Sequence, residues 1–207
     1  MVRDHQDGYA VRMRLADLAE KDKDTKTMRT HLQAARRWDP SQLEALQALY
    51  DLAKKEKRPR EMLRVLRELA ALDQHDRKVF VLLIEALAEA ELWGELAEWG
   101  ARAVFVDVHN PRVHQLYGVG LAKTNRREEA LFELETALLA KPTDEKATAA
   151  IYATMAGVYR DGGQADKAKQ AAAKALELDP TNAEAKAIQG KASSSHGLGV
   201  AIASPRV

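Results

Sequence analysis

Along the chain, apolar residues recur at helical spacing in runs separated by short polar turns. Val113, Leu116, Tyr117, Gly120 and Leu121 fall on one helical face. The polar stretch Lys123 to Glu128 follows, and Ala130, Leu131, Leu134, Ala137 and Leu138 then resume the same period. This helix–turn–helix pattern occurs five times. Its junctions place Asp39, Asp73, Asp107 and Lys141 at successive intervals of 34 residues, and the fifth junction residue, Asp179, follows after 38. One unit therefore carries four extra residues. No helix breaker lies between Asp144 and Gly157, which predicts that the excess lengthens the first helix of the fifth unit at its N-terminal end. Pro40, Pro111, Pro142 and Pro180 stand at unit junctions and Pro59 in the turn of the second unit, positions where a residue without an N–H costs no helical hydrogen bond. In the fifth unit the turn is Asp161-Gly162-Gly163-Gln164, where glycine supplies a positive φ.

These spacings divide the chain into a polar segment (1–8), five units (9–42, 43–76, 77–110, 111–144 and 145–182), a capping helix (183–193) and a Ser/Gly-rich flexible tail (194–207). One unit cannot bury its apolar face alone, so neighbours stack and the last face needs a polar cap. The expected architecture is all-α, with ten helices in five antiparallel pairs, the cap helix and no sheet. Ala130, Ala137, Ala168 and Ala175 are expected to be buried where helices approach closely.

The period and offsets resemble the tetratricopeptide repeat family, whose unit is 34 residues of paired antiparallel helices. Counting back from Pro142 gives Ala137, Ala130, Leu121, Gly118 and Tyr117; from Pro180 it gives Ala175, Ala168, Tyr159, Ala156 and Tyr152. The third unit keeps Phe80, Leu83 and Ala103. It carries Ile84 where a small residue is usual and Gly100 where the family has a large ring, which suggests a large-for-small exchange. The first two units match in period and apolar pattern only, through Leu15, Leu32, Ala35, Leu46, Leu49 and Leu66.

The resemblance implies a right-handed α-solenoid whose first helices line a groove for a segment of a partner protein. By register the inward row is Met13, Asp17, Gln47, Asp51, Val81, Glu85, Gln115, Val119, Ala153 and Gly157, with Lys54, Lys55, Arg112, Lys123 and Arg160 at its rim. Asp17, Asp51 and Glu85 repeat at 34 residues and make the N-terminal half acidic. The candidate partner-binding residues are Asp17, Asp51, Glu85, Gln47, Gln115, Val119 and Lys123. Members of the family that grip acidic C-terminal tails of chaperones use Lys and Asn at offsets that here hold Met13 and Asp17, Gln47 and Asp51, Val81 and Glu85. That clamp is absent, and an acidic terminus would meet like charge.

Composition narrows the function further. The chain has 32 basic and 31 acidic residues, a balance unsuited to coating nucleic acid or an anionic membrane. The basic cluster Lys54 to Arg67 contains no aromatic residue to stack on a base, so it reads as a solvated turn. The longest apolar stretch, Val79 to Leu87, is interrupted by Glu85 and is far short of a membrane span. With no cysteine, disulfides and thiol chemistry are excluded. His109 and His114 flank Pro111 near Asp107, but the first reads as a turn residue and the second as a packing residue, not as metal ligands. No catalytic or phosphate-binding motif is present, so neither enzymatic activity nor a cofactor is expected. Trp38 and Trp93 read as core and Trp99 as partly exposed.

The expected function is thus a non-catalytic scaffold that binds a protein or peptide segment, with self-association compatible. The alternative is the C-terminal assembly or substrate-docking region of a larger bacterial enzyme. The stretches around Glu98 to His114 and Phe132 to Pro142 resemble repeat regions that follow metallopeptidase-like domains in some bacteria. The polar start lacks a signal-peptide pattern, which implies a cytoplasmic protein, or a periplasmic one if the chain is cut from a longer precursor.

Overall fold

The computed structural model describes residues 8–194, which form eleven α-helices with no strand among the described residues. The polar start through residue 7 and the tail from residue 195 lie outside them, and with them the expectation of a flexible tail. The described residues divide into two compact blocks, one ending at Glu91 and the other beginning at Leu92. The first block holds α1 (Tyr9–Lys21), α2 (Thr25–Trp38), α3 (Glu44–Lys55), α4 (Pro59–Leu72) and α5 (Arg77–Glu89). The second holds α6 (Trp93–Val106), α7 (Pro111–Lys123), α8 (Arg127–Leu139), α9 (Glu145–Asp161), α10 (Ala165–Leu178) and α11 (Ala183–Ser194). Within each block successive helices pack on one another, and α11 rests on both α9 and α10.

The period is written into the turns. Lys23, Lys57, Glu91, Asn125 and Gly163 all have positive φ, one between the two helices of each unit. Only the last is glycine, so four units hold a side chain in the left-handed region that glycine tolerates best. The junction aspartates recur because each closes a turn: Asp39 accepts from the Ser41 N–H, Asp73 from His75 and Asp179 from Thr181, at 2.9–3.0 Å. Asp107 instead accepts from the Asn110 side chain, and Asn110 in turn caps α7 by accepting from the Arg112 N–H. Bonding to Ser41 and to Thr181 holds the Asp39 and Asp179 carboxyls below the usual range.

Lys141 cannot make such a turn. It adopts φ 60°, and α8 ends one residue earlier in its unit than its counterparts. The next helix, α9, has 17 residues against 13 in α7, with the excess at its N-terminal end, as the absence of a breaker predicts. Asp144 caps it, accepting from the Ala147 N–H at 2.7 Å.

The two blocks build their cores differently. The first uses leucine: Leu32, Leu46, Leu49, Leu52, Leu66 and Leu69 are all at most 3% exposed. The second alternates a few large residues with small ones. Ala130, Ala137, Ala168 and Ala175 are buried as expected, with Leu121, Leu134 and Ile151 among them. Glycine sets the closest approaches. A Cβ at Gly120 would stand 2.9 Å from the Ala97 backbone nitrogen, so α7 meets α6 backbone to backbone. A Cβ at Gly118 would lie 2.9 Å from Leu134 Cγ, and one at Gly100 would collide with the Tyr117 ring. The hollow left at Gly100 is therefore filled by the aromatic residue of the following helix.

Trp38 does not join the core. It is 55% exposed at the end of α2, and Leu72, at the same repeat offset, is 44% exposed. This offset lies at the margin of the helix pair, where only part of a large side chain finds a neighbour. Trp93 is half-buried rather than enclosed, and Trp99 is half-buried as expected. His114 is buried, as a packing position requires, and it is held on both sides. Its Nε2–H donates to the Val108 carbonyl at 2.9 Å, while Nδ1 lies 2.6 Å from a carboxylate oxygen of the buried Glu133. A carbonyl can only accept, so the Nδ1–Glu133 contact holds a further proton on one partner or the other.

Candidate functional site

In the first block the odd-numbered helices carry the acidic row. Asp17 is exposed on α1, Gln47 and Asp51 are exposed on α3, and Glu85 is half-buried and engaged on α5. Tyr50 connects two of the acids. Partial burial and the charges of both Asp51 and Glu85 raise the proton affinity of its hydroxyl, so these carboxylates share one neighbourhood. Asp17 stands open to solvent on α1.

In the second block the register positions close on a cleft. Val119, Ala122 and Lys123 from α7 face Thr154, Gly157, Val158, Arg160 and Asp161 from α9, with Arg127 at the start of α8 and Glu184 from α11. The cavity is about 210 Å³. Gln115, expected on the open face, is buried on α7 instead and accepts a hydrogen bond from Arg112 at 3.1 Å. Its helix is covered by α6 and α8, which shortens the surface it presents.

Charge in the cleft is unevenly matched. Arg160 binds Asp161 at 2.8 Å, and that bond, aided by Lys123 and Arg127, holds the Asp161 carboxyl below the usual carboxylate range. The Lys123 ammonium lies over the Trp93 ring, 5.5 Å from its centroid. The Glu184 carboxylate covers the floor: Oε1 stands 3.2 Å from where a Cβ at Gly157 would be. Loss of hydration in this position raises its proton affinity, and the nearby Lys123 and Arg160 only partly offset that rise. Sequence register locates Val119, Lys123, Gly157 and Arg160 here, but it misses Arg127, Thr154, Asp161 and Glu184. The last three come from an inward turn of α9, from its C-terminus and from a helix whose composition marks it only as a cap. Among the described residues no group of three or more His, Asp or Glu side chains is placed to hold a metal ion. No described helix is long and apolar enough to cross a membrane.

Comparison with known proteins agrees with this architecture. Residues 149–182 match the tetratricopeptide repeat family model. Of the solved structures it resembles, YrrB, "a TPR protein with an unusual peptide-binding site", superposes with a TM-score of 0.70 at 16% identity, covering 90% of this chain and 94% of that one. The chain has the tetratricopeptide repeat fold. The MamA protein shares that fold with a TM-score of 0.62 at 16% identity over 94% of this chain and 98% of its own. So does TTC0263, a thermophilic tetratricopeptide repeat protein of Thermus thermophilus, with a TM-score of 0.53 at 21% identity, covering 92% of this chain and all of that one. No curated protein sequence matches significantly. The matched residues 149–182 include Gly157, the floor of the cleft.

Proposed function

We propose that the protein is a non-catalytic interaction scaffold that binds a segment of a partner protein on the first helices of its repeats in each block. The observation that carries this reading is the cleft of the second block. Its floor is a glycine and its walls are residues of α7 and α9 at register positions a groove ligand would touch, with charged groups whose pairing is incomplete. The first block supports it with an exposed Asp17, Gln47 and Asp51, which favour a basic or backbone-presenting stretch over an acidic terminus. The alternative of an assembly or docking arm in a larger bacterial enzyme would use the same face.

Site-specific photo-crosslinking tests the face. A photoreactive residue at Gln47 or Val119 of the full chain should capture a defined partner in cells, and one at Arg64 on α4 or Glu135 on α8 should not. Crosslinking confined to the α4 and α8 positions overturns the reading. Changing Asp17, Asp51 and Glu85 together to their amides should weaken capture at Gln47 and flatten its salt dependence. Self-association has one observation in its favour. Phe105, Phe132 and Leu139 on α6 and α8 are 91%, 66% and 81% exposed. Sedimentation of the wild type and of a Phe132→Ser/Leu139→Ser variant separates the two, because only a self-associating chain changes its mass.

A further inference from the structure

We propose that the α7–α9–α11 cleft is a subsite for a carboxylate side chain of the bound segment, and that Glu184 of α11 occupies it until that segment arrives. The proposal rests on the groove reading above and names the chemistry at one point of it. Three cations line the cleft, Lys123, Arg127 and Arg160, against two carboxylates, Asp161 and Glu184. Asp161 is committed to Arg160. Lys123 lies against the Trp93 ring, and among the described residues neither it nor Arg127 has an acidic partner within ion-pair distance. Glu184 reaches into the field of Lys123 and Arg160 without forming an ion pair with either.

The position of Glu184 is what marks it as a stand-in. It comes from the first turn of a short helix that follows the last repeat, and its carboxylate lies over Gly157, where a side chain on α9 would otherwise fill the space. Gly157 shares its repeat offset with Asp17, Asp51, Glu85 and Val119, so a position that carries a side chain in four units is bare in the fifth and covered from α11. Glu184 keeps access to water and forms no ion pair there, so little holds it against exchange for another carboxylate. The incoming group frees Glu184 from the cleft. A neutral side chain would leave the cleft with Asp161 alone against three cations, and a cationic one would be repelled by them.

The test uses the full chain and three short peptides, blocked at both ends and identical except for a central Glu, Gln or Lys. Blocking the termini removes any terminal carboxylate, so binding reports the side chain alone. Binding is followed by NMR shifts at Gly157, Val119 and Lys123. Removing the resident carboxylate by Glu184→Ala should tighten binding of the Glu peptide by about fivefold or more, because the competing occupied state is lost. The Gln and Lys peptides should not gain, and the further change Lys123→Ala should abolish the gain. Glu184→Gln, which keeps the side chain's size, should reproduce the effect if the alanine variant loosens α11. Equal affinity for the Glu peptide in wild type and both variants, or tightening that the Gln or Lys peptide shares, overturns the subsite. Crosslinking from Val119 with no effect of Glu184 would leave the groove reading intact and this proposal refuted. The reverse pair of results would refute the groove reading instead.

Discussion

The two blocks solve one packing problem with different balances of large and small side chains. In the first, leucines of α3 and α4 fill the space between them, while α1 buries Ala16 and Ala19, and the helices present an exposed, acidic surface. In the second, alanine and glycine let helices approach until backbones touch, as at Gly120 and Ala97. Close approach leaves less room for large side chains and brings charged residues of several helices around one cavity. The comparison teaches that small residues let charged groups of several helices close on a compact cleft of about 210 Å³, whereas the leucine-packed helices of the first block leave a wider one of about 590 Å³, lined by Arg36, Arg37, Arg64 and Glu68 among others. Both follow from interiors being close-packed, with little tolerance for either missing or added volume.

The sharpest way to break this comparison is to remove volume from the first block. Leu66→Ala should destabilise by about 2–5 kcal/mol, since a buried leucine leaves a cavity that its neighbours only partly close. Urea unfolding checks it, with Trp38 reporting the first block and Trp93 and Trp99 the second. A loss below about 1 kcal/mol would mean that the leucine core is loosely packed and that the contrast between blocks is false.

Next in size is the buried pair of the second block. Glu133→Ala should cost about 3 kcal/mol, because it leaves a His114 ring nitrogen buried without its partner. Replacing both, as His114→Leu/Glu133→Leu, should recover much of that loss, since an apolar pair of similar volume leaves only the carbonyl of the exposed Val108 without its donor. If the double variant is as unstable as the single one, the cost lies in shape and not in the lost hydrogen bond.

Adding volume should then hurt the second block. Ala137→Leu is expected to cost about 1–3 kcal/mol by overpacking at a position that is 0% exposed. An unchanged urea midpoint would show that the helices can move apart, and the close approach would lose its role in shaping the cleft.

Much of this fold is legible in the sequence. The 34-residue interval, the buried alanines and the N-terminal lengthening of α9 all follow from local pattern, because a helix pair sets its own period and its own turn. The misses share a different cause. The offset of Trp38 points to the core, but an offset says which face a side chain leaves from and not whether a neighbour covers its tip. Gln115 loses its open surface to the packing of α6 and α8 around α7. Glu184 sits outside the repeats, so periodicity does not reach it, and only the three-dimensional path of α11 brings it over Gly157. Within the repeats, register locates Lys123 and Arg160 but misses Arg127 and Asp161, whose places beside the turns depend on how successive helices meet.

The smallest expected effect is also the most specific to the cleft, and it comes from the charge on Glu184. Its folded-state proton affinity is raised, with loss of hydration as the leading cause. The folded protein therefore binds more protons than the unfolded chain in the window just above the ordinary carboxylate value of about 4.3. Its stabilising contribution is present below that window and is lost as pH rises through the raised folded value. Glu184→Gln has no proton to lose there. The stability of wild type relative to this variant should fall with rising pH across that window and then stay level towards neutrality. The change should be modest, because solvent reaches part of the side chain and screens it. A relative stability that climbs with pH would mean that Lys123 and Arg160 hold the carboxylate in a net favourable ion pair. Glu184 would then be a fixed strut of the second block, and the cleft would have no exchangeable occupant to distinguish it from the open acidic face of the first.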